Sequence, residues 1–143
     1  MEEKELYDLL AAEAIRAAEN SYSPYSRFRV GAALLTEDGN IYRGCNIENA
    51  SYPVTLCAER TALCKAVSEG ERKFRALAVT GGPAGKGPAS PCGMCRQALR
   101  EFCGPDFAIL LVEDLNKYEI HTLGELLPRA FGPENLGGTE PGS

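Results

Sequence analysis

The segment SPCGMCRQ, Ser90 to Gln97, holds two cysteines three residues apart, directly after a proline. With Pro91 ahead of a helix, Cys92 and Cys95 share the first turn and one face. A helix N-terminus favours thiolate over thiol. Two thiolates do not complete a zinc site, so a further ligand has to come from elsewhere. About thirty residues upstream, Cys57 in TLCAERTA also stands near an expected helix start. One metal shared by these three would bring two helix N-termini to a single point. That requirement constrains the fold more than any other feature of the chain.

The number of ligands decides what such a site can do. Four protein ligands close a structural zinc, whereas three leave a position for water. Cys64 lies two turns beyond Cys57, about 10 Å along the same helix, and Cys103 is similarly remote from Cys95. Cys45 and the single histidine, His121, are not excluded by their distance along the chain. Outside a metal site, Cys45, Cys64 and Cys103 read as small buried hydrophobes, and a histidine near an edge strand reads as structural or exposed.

Composition narrows the class. The 143 residues suffice for one domain with a sizeable core. A net charge of −5 argues against a nucleic-acid partner. The local cluster Arg72, Lys73 and Arg75 reads as a solvated loop. No run of eighteen apolar residues suggests a membrane span, and the acidic, amphipathic start MEEKELYDLL is unlike a signal peptide. The expected compartment is therefore the cytoplasm, where thiols stay reduced. Six cysteines then point to metal, catalysis or packing rather than to disulfides.

The hydrophobic periodicity predicts nine elements in the order α-β-β-α-β-α-β-β-α. Residues 3–19 carry Leu6, Leu9, Leu10, Ala14, Ile15 and Ala18 at helical spacing. Arg29–Thr36 and Ile41–Ile47 form a hairpin across EDGN. Thr55 caps a helix from about Leu56 to Glu69, ended by Gly70. Then come a strand at Phe74–Thr80, a helix at Cys92–Phe102, a buried strand over FAILLVED, an edge strand over KYEIHTL and a short helix in GELLPRAF. A hairpin followed by βαβ units predicts a mixed sheet of about five strands with helices on its faces. A single domain over residues 1–131 is expected, with 132–143 a mobile tail.

Glu59, two residues past Cys57, points in a different direction on a helix and need not bind the metal. A carboxylate beside an activated water can take its proton and pass it on. Cys-Ala-Glu followed by Pro-Cys-x-x-Cys resembles the signature of the zinc-dependent nucleoside and nucleobase deaminases. FRVGAALL, GCNIENASYP, CAERTAL and SPCGMCRQ together resemble the small homotetrameric cytidine deaminases, over roughly Leu9 to Phe131. The resemblance implies their three-layer α/β/α fold, one zinc ion, and cytidine or deoxycytidine as substrate. It implies zinc ligation by Cys57, Cys92 and Cys95 and proton transfer by Glu59. Phe28 would pack on the pyrimidine, Asn46 and Glu48 would hold the ribose hydroxyls, and the Ala58 N–H would read the base. Phe131 matches an aromatic that enters a neighbouring subunit's site, and Arg60 matches an arginine that accompanies three cysteine ligands. Three thiolates on Zn²⁺ leave a charge of about −1, which a cation at sulfur would offset.

Three features depart from the family pattern: Met94 inside the cysteine pair, the Gly/Pro-rich loop Gly81–Ala89, and the tail after Phe131, which extends past the recognisable region. The first threatens local packing, and the second leaves its own conformation open. Competing readings are a deaminase of another amino-pyrimidine nucleoside, a structural zinc module, and thiol redox exchange at Cys92 and Cys95.

Overall fold

A computed structural model describes residues 1–138 of the 143. Helix α1 spans Glu3–Ala18, strands β1 and β2 span Arg29–Thr36 and Ile41–Cys45, and a 3-10 turn occupies Tyr52–Val54. Helix α2 (Ala58–Ser68), β3 (Phe74–Gly82), α3 (Gly93–Arg100), β4 (Ala108–Asp114), β5 (Lys117–Thr122) and α4 (Leu123–Leu126) follow. The nine expected elements are all present, in the expected order.

The five strands form one mixed sheet in the order β2-β1-β3-β4-β5. β1 runs antiparallel to both of its neighbours, β2 and β3, while β3 and β4 are parallel and β5 closes the sheet antiparallel. Side chains alternate between two cores, as pleating requires. Ala33, Leu35, Ala76, Ala78, Leu110 and Val112 face α1. Ala32, Leu34, Leu77 and Ile109 face α2 and α3. The result is a three-layer α/β/α sandwich.

This topology positions the site. β2 and β3 both oppose β1, so they run parallel to each other, and β3 is parallel to β4. Helix α2 follows β2 and helix α3 follows β3, on the same face. Both helices therefore begin at the same end of the sheet.

Two glycines allow the layers to close. β1 approaches α1 so tightly that a Cβ on Gly31 would lie 2.1 Å from the Ala14 carbonyl oxygen. On the other face, a Cβ on Gly44 would lie 2.4 Å from the Ala62 nitrogen and 2.5 Å from the Ala58 oxygen. These contacts are with helix backbone, which cannot rotate away.

Local boundaries depart from the sequence reading for identifiable reasons. Thr55 does not cap α2: its hydroxyl accepts the Asn49 N–H instead. Leu56 is held outside the helix by paired backbone hydrogen bonds with Ile47, at 2.9 and 3.0 Å, so Cys57 becomes the N-cap. The same pairing draws Ile47 out of β2, which ends at Cys45. The buried stripe of α1 runs through Tyr7, Leu10, Ala11 and Ala14 and leaves Leu9 exposed. Cys64 is exposed beside Lys65 rather than buried, because Ala62, Leu63 and Ala66 take the inner face of α2. Cys103 is buried as expected, and Cys45 is half-buried.

The Gly81–Ala89 loop is anchored by the buried Thr80 hydroxyl, which donates to the Val112 carbonyl (2.8 Å) and accepts the Gly87 N–H (3.0 Å). Beyond Phe131, residues Pro133–Leu136 form a 3-10 turn that Glu134 ties to Arg100. The remaining residues of the expected tail, 139–143, lie outside the described residues. Among the described residues, no helix is long and apolar enough to cross a membrane.

Gly31→Ala and Gly44→Ala should each destabilise the fold by at least about 1–3 kcal/mol, the usual cost of overpacking, measured by urea unfolding. A wild-type midpoint for either would show that the helix backs away from the sheet at little cost.

Candidate active site

The two helix starts meet. Cys57 is the N-cap of α2, Cys92 is the N-cap of α3, and Cys95 lies one turn inside α3. The Cys57 and Cys92 sulfurs are 3.8 Å apart, and those of Cys92 and Cys95 are 3.4 Å apart. All three lie within 4.8 Å of one another, and among the described residues no other cluster of three metal-ligating side chains exists. Zn–S bonds of about 2.3 Å at tetrahedral angles separate sulfurs by about 3.8 Å. The two separations given lie within a few tenths of an ångström of that value, and the donor set fits zinc.

Neither residue left open as a fourth ligand joins the cluster. The Cys45 thiol donates to the Asn20 carbonyl at 3.4 Å. His121 sits on the edge strand β5 between Glu119 (2.9 Å) and Glu125 (3.5 Å). Among the described residues, three protein donors are thus positioned to share one metal ion.

The thiols divide their protons unequally. A hydrogen bond from Cys95, assisted by Arg60 and Cys92, holds Cys57 down at about 5 against the opposing effect of burial. Cys95 moves upward through the same hydrogen bond, through burial and through the Glu59 charge. The Arg60 Nη2 donates to the Cys57 sulfur at 3.6 Å, while its buried Nε has no partner among the described residues. This guanidinium is aimed at sulfur, and it is a cation placed where negative charge accumulates.

Glu59 is only 4% exposed. Burial pushes its carboxyl up to about 7, with the Cys57 charge adding to the effect. It lines a cavity of about 210 Å³ together with Phe28, Val30, Asn46, Cys57, Ala58 and Cys92, among others. A neighbouring depression of about 430 Å³ shares Thr55 with this cavity and contains Glu48, Tyr25, Ser26 and Tyr52. A depression of similar size, about 440 Å³, between Lys73 and Phe107 holds none of these groups.

Asn46 is first of all a brace. Its Oδ1 accepts the Val30 N–H (2.9 Å) and the Ser21 hydroxyl, and its Nδ2 donates to the Phe28 carbonyl (2.8 Å). One amide hydrogen is left for a ligand. Glu48 accepts from the Ser26 hydroxyl and from the Tyr25 and Ser26 N–H groups. These bonds, led by that of the hydroxyl, keep its carboxyl below the usual carboxylate range. Phe28 can occupy the cavity wall because Gly81 has no side chain: a Cβ there would lie 2.9 Å from the Phe28 ring. Met94 points to solvent at 67% exposure and crowds nothing. Phe131 lies outside its own cavity, is 57% exposed, and has its carbonyl held by Gln97.

Ser21, Ser26 and Gly81 escaped the sequence reading. Each acts on a residue far away in sequence, and no local pattern marks them.

Residues 4–111 match the family model for the cytidine and deoxycytidylate deaminase zinc-binding region. The chain belongs to that deaminase family. A cytidine deaminase of Sporosarcina psychrophila is 54% identical over 89% of this chain and 92% of its own. One from Halalkalibacterium halodurans is 52% identical over 90% and 96%. The crystal structure of a Burkholderia pseudomallei cytidine deaminase superposes with a TM-score of 0.79 at 45% identity, covering 86% of this chain and 97% of that one. The zinc-binding character of the deaminase family agrees with the three-sulfur cluster.

With zinc removed, this deaminase should retain a thiolate ultraviolet absorbance down to about pH 5. An acid with a lowered pKa stays charged until the pH falls through that lowered value. Cys57→Ser should remove the component. Thiolates appearing only near the ordinary cysteine value of about 8.5 would contradict the proton distribution described above.

Proposed function

We propose that the chain catalyses the hydrolytic, zinc-dependent deamination of cytidine and deoxycytidine to uridine or deoxyuridine and ammonia. One observation carries this reading: the buried Glu59 carboxyl, raised to about 7, shares a small cavity with a three-sulfur metal site. A carboxyl poised near neutrality both accepts and returns a proton. The names of the relatives support the substrate class.

Zinc held by Cys57, Cys92 and Cys95 would supply a Lewis acid that makes water nucleophilic at neutral pH. Glu59 takes a proton from the water that attacks C4 of the pyrimidine. It delivers that proton to N3, takes a second from the hydroxyl formed at C4 and passes it to the amine as the C–N bond breaks and C4=O forms, so that it ends the cycle as it began. Arg60 draws charge from the thiolates so that the metal remains electrophilic. Phe28 packs against the pyrimidine, and the Ala58 N–H, an unpaired donor in the first turn of α2, reads the base. Asn46 offers its remaining amide hydrogen and Glu48 its ionised carboxylate to the ribose hydroxyls. Neither role demands a 2′-hydroxyl, so deoxycytidine is accepted as well.

The working unit in this reading is a homotetramer of domains spanning residues 1–131, in the cytoplasm and serving pyrimidine salvage. The exposed Phe131 stacks in a neighbour's site, where a second subunit helps to exclude water.

Purified, zinc-loaded protein should consume cytidine, followed by its ultraviolet absorbance. Cytidine left intact while another amino-pyrimidine nucleoside is turned over would move the reading to that substrate. Glu59→Gln should keep its zinc and lower kcat by about 10⁴-fold or more, since the general acid–base range is about 10² to 10⁴ for a single role. Activity within a few-fold of wild type would make Glu59 a bystander. Light scattering should report a tetramer, and Phe131→Ala should raise KM without changing that assembly. A fully active monomer would end both statements.

A further inference from the structure

The stretch from Pro88 to Pro91 delivers Cys92 to the metal site and lines the cavity through Ala89 and Ser90. Among the described residues it nevertheless makes no backbone–backbone hydrogen bond. Two of its four residues are prolines, which have no N–H to offer. A segment without ladder or turn bonds needs another anchor if it is to place a ligand to within tenths of an ångström.

One side chain supplies that anchor. Arg96, next to Cys95 on α3, donates Nε to the Pro91 carbonyl at 2.7 Å and Nη2 to the Ser90 hydroxyl at 2.9 Å. Its Nη1 donates to the Leu126 carbonyl, one of the acceptors that the end of α4 leaves without an intrahelical donor. All three nitrogens of the guanidinium are engaged. Among the described residues Arg96 enters no ion pair, so every partner is a carbonyl or hydroxyl oxygen. The group works as a planar fork rather than as a counter-charge.

We propose that Arg96 is a positioning residue of the metal site, fixing the Ser90–Pro91 backbone that sets Cys92 against Cys95 and tying that backbone to the end of α4. This rests on the reading of Cys57, Cys92 and Cys95 as zinc ligands. Cys95 is fully buried in α3, so its place is set by helix packing. Cys92 is exposed and stands at the helix boundary: its carbonyl accepts the Arg96 N–H at 3.0 Å, while on its N-terminal side the approach is set by the preceding segment. Arg96 spans that difference, because the helix carrying one thiol also grips the backbone leading to the other.

The test uses the full chain with Arg96→Ala, Arg96→Gln and Arg96→Lys, each loaded with zinc or with cobalt. Zinc affinity is read by competition with a chelator, thiolate coordination by the cobalt charge-transfer bands, and stability separately by thermal unfolding. Outer partners of metal ligands typically contribute about 10- to 100-fold in affinity. Folded variants should lose at least about tenfold and show shifted cobalt bands. Arg96→Lys should fall between wild type and Arg96→Ala, because an ammonium cannot reproduce the fork. Should Arg96→Ala not fold, Arg96→Lys, which keeps the charge and much of the stem, carries the comparison. A folded variant with wild-type zinc competition and wild-type cobalt bands overturns the proposal, even if its melting temperature falls. Wild-type protein that binds no zinc overturns the ligand reading and this inference with it, and that result is visible before any substitution is made.

Discussion

The site depends on two helices that start at the same end of one sheet. β1 lies antiparallel between β2 and β3, which makes those two parallel, and the helices that follow them lie on one face. Their first turns are thereby brought together, each with unpaired N–H groups and the positive end of its dipole. Three sulfurs gathered at that point meet a field that favours thiolate. The same gathering in mid-helix would find no such donors. Gly44 contributes by letting α2 settle directly on β2, and Gly31 does the corresponding work for α1 on the opposite face.

Charge governs what this convergence can do. Thiolates this close repel one another, and without a metal Cys57 is held below the ordinary thiol value while Cys95 is pushed above it. Arg60 is the cation that faces this charge, reaching the Cys57 sulfur from one turn along α2. Glu59 responds in the opposite sense. Burial and the nearby sulfur charge hold its proton to near neutral pH, where a carboxyl in water would have lost it. A single helix turn thus carries a thiolate, a carboxyl that holds its proton to near neutral pH and a cation, each facing a different environment.

Much of this was legible in the chain. The alternation of helical and period-two patterns marked nine elements, because each buries one face against the sheet. The boundaries were less legible. Thr55 looked like a helix cap, but its hydroxyl serves Asn49, and Leu56 is committed to Ile47. That pairing joins two loops and leaves no periodic trace. Cys64 read as buried because cysteine usually is, yet the inner face of α2 belongs to Ala62, Leu63 and Ala66. Spacing along the chain also left Cys45 and His121 open as ligands, since sequence distance does not bound spatial distance across loops.

The sequence by itself determined the donor types, their spacing within each helix turn, and the order of the elements. These are local properties, set by a 3.6-residue period and by side-chain chemistry. Only the tertiary structure decided that Cys57 meets Cys92 and Cys95, that Asn46 braces the Phe28 backbone, that Gly81 gives the Phe28 ring its seat, and that Arg96 holds the segment before Cys92. Each of these contacts except the last joins residues far apart in the chain, and the last runs backward from a helix onto a segment with no pattern of its own. Such contacts exist only once strands have paired and helices have docked, because the packing of the whole sheet sets the distances at its edge.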